Sequence, residues 1–214
     1  MVGRSAGAEG KPSHLLPRLA LAATNQAASA AVAAQAGPLA VLGEPSVHTK
    51  PVAAVSAALD TAFSALPQPL RATAPLYALC DDYSMMAARR LAARCTDPGR
   101  RLRPSDSVAA ETSELVRPYL TESGRPGRCY LLAGTPAHTA LRLATLGSRP
   151  ATVVCEFVLV PGEDPYAPGL LAVAAVWGAE GPAALSPPTG RATPPTTLPG
   201  LLTTLLQEGR SIRV

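Results

Sequence analysis

The sequence predicts an α+β fold, with a mainly helical first part followed by a small β-α-β-β unit. Before about residue 120, apolar residues recur every three or four positions, which is typical of amphipathic helices. From residue 129 onward, short apolar runs rich in valine and leucine surround one helical segment, which indicates strands. Both ends of the chain are rich in alanine and proline, so disordered tails are expected around the core.

Domain boundaries follow from these changes in composition. We predict a flexible, alanine-rich N-terminal arm at 1–49, a folded α+β core at 50–181 and a Pro/Thr-rich C-terminal tail at 182–214. A chain of 214 residues accommodates one such core with flanking tails. Aromatic residues make up only 4%, so alanine, leucine and valine must build the core, which favours closely packed helices.

The arm contains an alanine-rich run at 15–36 with high helix propensity. Its small-residue face suits tight packing against a second copy, so self-association as a homodimer or larger oligomer is expected. Polar residues interrupt the run, among them Arg18 and Asn25, and alanine is weakly apolar, so a membrane span is not expected. We therefore expect a cytoplasmic protein without a membrane partner.

Three more helices are predicted before residue 120. The first begins at Pro51 and ends near residue 66, ahead of a segment that three prolines between 67 and 75 interrupt. The second covers 81–95, where two aspartates suit the helix N-terminus. The third is capped by Ser105 or Asp106.

The second part of the chain alternates strands and helices. Residues 129–133 form a short strand, 137–146 a helix, and 153–160 and 170–177 an antiparallel pair of strands. In the tail, residues 198–206 are predicted to form a short helix that docks on the domain or on a neighbouring molecule.

The most unusual feature of the sequence is an arginine cluster at 89–103, with six arginines and one acidic residue, Asp97. Such a cluster repels itself, and arginine's planar, permanently charged group suits phosphate, so a nucleic acid is the expected partner. The alternative is a solvated helix face in a chain that uses 17 arginines and 2 lysines. Nine of the 19 basic residues fall between Arg89 and Arg128, and they are the candidate nucleic-acid-binding residues: Arg89, Arg90, Arg94, Arg100, Arg101, Arg103, Arg117, Arg125 and Arg128.

Few aromatic residues accompany these arginines. Only Tyr119 and Tyr130 are close in sequence, so contact with a duplex backbone is preferred over stacking on single-stranded bases. The region contains no base-reading motif, which predicts low sequence specificity.

No catalytic or cofactor-binding motif is present, so neither an enzyme nor a cofactor is expected. The four cysteines have no C-x-x-C spacing, which argues against a metal site and favours buried, reduced thiols. Two alternatives remain open. One is a protein–protein adaptor that uses the arm or the tail, and the other is an enzyme built on Cys129, His138 and the turn at Gly134 and Thr135.

The composition resembles that of the proline-alanine-serine-rich proteins (PASrp) of polymycoviruses. Alanine, proline and serine supply roughly a third of the chain, most heavily in 1–75 and 182–200, and the pI is about 9.1. The resemblance implies a self-associating coat protein that binds the double-stranded RNA genome nonspecifically, in the host cytoplasm or the virion. Because it is compositional, it assigns a role to no residue.

Overall fold

The computed structural model describes residues 18–28, 30, 40–99, 101–135, 137–146, 149–161, 168–178 and 197–211. Within these ranges, seven strands form one sheet: β1 (Arg18–Ala23), β2 (Ala40–Val41), β3 (Ser46–Val47), β4 (Leu76–Leu79), β5 (Cys129–Leu132), β6 (Ala151–Val160) and β7 (Gly169–Gly178). The main helices are α1 (Pro51–Ser64), α2 (Gln68–Thr73), α3 (Asp81–Thr96), α4 (Pro104–Val108), α5 (Ser113–Glu122), α6 (Ala137–Leu146) and α7 (Leu198–Ser211).

The sheet has the order β2-β1-β7-β6-β4-β5, and β3 also pairs with β1. Strand β4 runs parallel to both its neighbours, β5 and β6, while β7 is antiparallel to β6 and β1. The α+β class and the β5-α6-β6-β7 unit are therefore confirmed. The parallel strands β5 and β6 do not pair with each other, because β4 from the first part of the chain lies between them.

The prediction of a helix at 15–36 is wrong for residues 18–23, whereas residues 26–28 and 30 are helical. Arg18–Ala23 is strand β1, which pairs along its whole length with β7. Its residues alternate between two buried faces, with Ala20 and Ala22 on one and Leu19 and Leu21 on the other. This two-sided burial overrides the helix propensity of alanine. The folded unit thus includes part of the predicted arm, whereas residues 1–17 and 31–39 lie outside the described residues.

Helices cover both faces of the sheet. On one face, α1 packs over small side chains such as Ala20, Ala22 and Ala174, which let it approach the strands closely, and α5 packs against α1. On the other face, α6 and α7 pack over Val154, Val173 and their neighbours. The predicted helix near 198 is confirmed, and it docks on this domain. The tail between 179 and 196 lies outside the described residues.

Two further elements differ from the prediction. The proline-rich segment after α1 contains α2 and the buried strand β4, which sequence reasoning missed because only four residues separate Pro75 from Cys80. The expected helix after 105 is divided into α4 and α5. Asp106 sits inside the first turn of α4, where its carboxylate accepts the backbone N–H of Arg103 at 3.0 Å.

Arginine side chains from two other elements satisfy the carboxyl end of α1. Arg18 donates to the carbonyl of Ala65 at 3.1 Å, and Arg71 donates to those of Ser64 and Leu66 at 2.9 and 3.3 Å. These carbonyls lack partners within the helix, so cationic donors stabilise its end. Part of the chain's arginine content is therefore structural.

Candidate nucleic-acid interface

The arginine cluster lies on α3 and on the loop that leads to α4. Helix α3 begins at the carboxyl end of β4, and Ala87 is the one buried residue among those whose side chains the structure describes. Its second half projects into solvent because it carries few apolar residues that could pack on the sheet. Five cluster arginines are exposed, and we call them the arginine surface: Arg89, Arg90, Arg94, Arg101 and Arg103. Arg100 lies outside the described residues.

A cavity of about 450 Å³ separates the end of α3 from α4. Its lining includes Arg94, Arg101, Arg103 and Asp106. Arg94 Nη1 donates to Asp106 Oδ1 at 2.7 Å, while Asp106 Oδ2 accepts the N–H of Arg103. Asp106 thereby ties α3 to α4 and holds the Arg94 guanidinium, while Arg101 and Arg103 line the same concave region. Three positive charges and one negative charge leave this region net positive, which suits a phosphate.

The other three predicted residues lie elsewhere. Arg117 is exposed but pairs with Glu114 in the same helix, with N–O distances of 2.7 and 2.5 Å. This pairing raises the pKa of Arg117 and lowers that of Glu114. It also neutralises Arg117 as a site for a second anion.

The assignment of Arg125 to the interface is corrected. Its guanidinium lies 3.3 Å from the ring centroid of Phe63, and Nη2 donates to the carbonyl of Ala74 at 3.0 Å. The side chain is half-buried beside Tyr119, and desolvation lowers the pKa of Arg125. The apolar surroundings of α1 and α5 hold this arginine, so its role is structural.

Arg128 is exposed and belongs to a different group, at the amino ends of β4 and β5. An interaction with the Tyr130 hydroxyl raises the pKa of Arg128. The Tyr130 ring stacks on that of Tyr77, with centroids 4.9 Å apart and planes at 17°. Burial is the largest cause of the raised pKa of Tyr77. The nearby Tyr130 raises this pKa further, and Arg149 lowers it. Sequence reasoning missed this group because Tyr77 is distant in the chain and β4 was not predicted.

The thiol–histidine alternative is not assembled by the fold. Cys129 and Cys155 belong to the α1 side of the sheet, whereas His138 is in α6 on the opposite side. Burial raises the pKa of Cys129 to about 11 and that of Cys155 well above its ordinary value. Both thiols are therefore protonated near neutral pH, and neither is an activated nucleophile. Gly134, with φ of +67°, lies in the turn that connects β5 to α6.

Another cavity, of about 550 Å³, lies between α3, the α4–α5 connection and β5. Its lining is mostly small or apolar, including Ala88, Leu91 and Leu131, and the hydroxyls of Ser84 and Thr112 lie 3.0 Å apart at its edge. Among the described residues, no three histidine, cysteine, aspartate or glutamate side chains are grouped as a metal site would require. Within the same residues, no helix has the length and apolar character needed to cross a membrane.

Comparison with known proteins gives no family. No protein-family profile and no curated protein matches the chain. Among solved structures, the chain is similar to a ketosynthase in complex with its chain length factor from Xenorhabdus doucetiae, at 10% identity and a TM-score of 0.41. The superposition spans 58% of this chain and 56% of that chain.

Proposed function

We propose that this protein binds RNA without sequence specificity, through phosphate contacts at the arginine surface. The observation that carries the proposal is the exposure of Arg89, Arg90, Arg94, Arg101 and Arg103 on one projecting unit. Five like charges held this close together repel one another, and the bound phosphates of a polyanion relieve that repulsion. The function is binding, with no chemical step.

The side chains around these arginines favour a duplex backbone as the ligand. The exposed apolar neighbours on α3 and its loop are Met85 and Leu102, neither of which offers an aromatic ring for base stacking. Arginine contacts to phosphate position a protein on a nucleic acid without reading sequence. The preferred ligand of this surface is therefore double-stranded RNA.

A coating role, in which copies of the protein cover an RNA genome, is part of the proposal. It is supported by the compositional resemblance to PASrp proteins, and it requires self-association into a homodimer or a larger assembly. Light scattering of the protein alone and with duplex RNA tests this part. A protein that is monomeric alone and binds as one copy per duplex would refute the coating role while leaving RNA binding intact.

Salt-dependent binding to duplex RNA tests the proposal directly. Five arginines less the charge of Asp106 leave about four phosphate contacts, which predict a slope of about −3.6 for log K against log salt. Affinity should then fall roughly 150-fold between about 50 and 200 mM salt. Fluorescence anisotropy with a labelled 20-base-pair RNA measures both quantities.

Two variants locate the site. The double variant Arg101→Met, Arg103→Met should make the slope less steep by about 1.8 and weaken binding to all sequences alike. Arg117→Met is the control, because it removes the same kind of charge at a position that Glu114 already neutralises. If no RNA binds at low salt, the proposal fails and the adaptor alternative gains support. If Arg117→Met weakens binding by half as much, in free energy, as the double variant, each lost charge has the same effect wherever it lies. In that case only net charge matters and the arginine surface is not the site.

A further inference from the structure

We infer that Tyr77 and Tyr130, flanked by Arg128 and Arg149, form a second contact surface that stacks an unpaired base of RNA. This inference rests on the proposed function, and it adds a class of ligand that the arginine surface does not favour. We call these four residues the tyrosine platform. The sequence argued against base stacking because only Tyr119 and Tyr130 lie close to the arginines, and the fold adds Tyr77 beside Tyr130.

The pairing of β4 with β5 creates the stack. Tyr77 and Tyr130 are direct partners in this parallel ladder, so both side chains project from the same face of the sheet. Their rings lie 4.9 Å apart and nearly parallel. Tyr77 also packs against the core beneath α6 and α7, which fixes the inner ring in place. The outer ring therefore rests on a rigid support.

The position of β5 leaves one side of the outer ring open. Strand β5 is the last strand of the sheet, so among the described residues no strand lies beyond Tyr130. The Tyr130 side chain is 36% exposed. Because Tyr77 occupies the inner face of its ring, the outer face is the one that a further planar group can stack on. A base placed there would extend the Tyr77–Tyr130 stack by one ring.

Charge next to the stack indicates what kind of ring would bind. Arg128 lies directly before β5 and interacts with the Tyr130 hydroxyl. Arg149 lies just before β6, where its positive charge interacts with Tyr77. Both arginines are exposed. Aromatic rings that stack bases, with arginines beside them that hold phosphates, are the usual means of binding single-stranded nucleic acid.

The placement of the two surfaces at opposite ends of β4 favours a polymer over a single nucleotide. The tyrosine platform lies at the amino ends of β4 and β5, whereas α3 and the arginine surface follow the carboxyl end of β4. One RNA molecule with paired and unpaired segments can contact both surfaces, and a duplex alone cannot use the platform because its bases are already stacked on one another.

Binding of a labelled 20-nucleotide single-stranded RNA tests the inference, with the 20-base-pair duplex as reference. Tyr130→Leu should weaken single-strand binding by about 5- to 150-fold, since one stacked base contributes that much, and should leave duplex binding unchanged. Tyr130→Phe keeps the ring and should retain the affinity. Arg128→Met, which leaves the stack in place, should weaken single-strand binding by a smaller factor.

The outcomes separate the two proposals. If the wild-type protein binds duplex RNA but Tyr130→Leu binds the single strand as the wild type does, the platform is wrong and the arginine surface stands. If the wild-type protein binds neither RNA at 50 mM salt, both fail. If Tyr130→Leu lowers the melting temperature, its loss of binding could come from unfolding, and the Arg128→Met variant is the test instead. An Arg128→Met protein that binds single-stranded RNA as tightly as the wild type would overturn the inference.

Discussion

Replacing Arg125 by alanine should destabilise the fold and leave RNA binding unaffected. The guanidinium lies over the Phe63 ring at 3.3 Å, which contributes about 1–2 kcal/mol when partly desolvated. Its hydrogen bond to the Ala74 carbonyl, at 3.0 Å with a charged donor, contributes about 1.5–3 kcal/mol. Within the described residues, Arg125 Nη1 is buried without a hydrogen-bond partner, which costs about 1–3 kcal/mol. The net loss on substitution is therefore about 2 kcal/mol.

Thermal unfolding followed by circular dichroism measures this loss. For a chain of this size, about 2 kcal/mol corresponds to a fall in melting temperature of about 4–8 °C. Arg101→Ala is the matched control, because this arginine is exposed and its removal should change the free energy of unfolding by less than about 0.5 kcal/mol. Anisotropy at 10 °C, where both variants are folded, should show weaker duplex binding for Arg101→Ala alone. An unchanged melting temperature with reduced RNA affinity in Arg125→Ala would refute the structural role.

Other predictions concern close packing, thiols and the docked helix. Gly127→Ala should lower the unfolding free energy by about 1–3 kcal/mol in a urea titration, because the new Cβ would lie 2.9 Å from a backbone carbonyl oxygen. Iodoacetamide at pH 8 should modify the exposed Cys95 first, and all four cysteines only in denaturant; fast labelling at Cys129 would contradict its burial. Burial raises the pKa of the Cys129 thiol from 9.0 to about 11, so between these pH values the unfolded chain loses this proton before the folded one does. The free energy of unfolding should therefore fall as pH rises from 9 to 11. Glu156→Ala removes the carboxylate that accepts the N–H of Leu198 at 2.7 Å, and should speed hydrogen exchange in α7 but not in α1.

The parts of the fold that depend on local pattern could be predicted. The run at 153–160 and the run at 170–177 are long and apolar because both faces of β6 and β7 are buried, and such runs predict strands. Helix α1 begins at Pro51 as expected. Strand β1 could not be predicted, because its alanines are good helix formers and only pairing with β7 makes them a strand.

The same division applies to the candidate interface. The exposure of Arg89, Arg90 and Arg94 follows from a helix with few apolar positions, and the sequence shows this directly. The burial of Arg125 depends on Phe63, which lies far away in the chain, and so could not be predicted. The tyrosine platform required knowledge that β4 pairs with β5, a contact that joins segments more than 50 residues apart.

The energetics of the arginine surface separate it from the structural arginines. Arg18, Arg71 and Arg125 each donate to backbone carbonyls, and these bonds help to hold α1 and β4 in place. By contrast, the exposed pair of Arg94 with Asp106 contributes at most about 1 kcal/mol to folding, and mutual repulsion of the neighbouring guanidinium groups opposes it. The folded chain therefore gains little stability from this surface. A ligand that carries several negative charges would turn the same repulsion into binding free energy, which is the physical basis of the binding role proposed for the arginine surface.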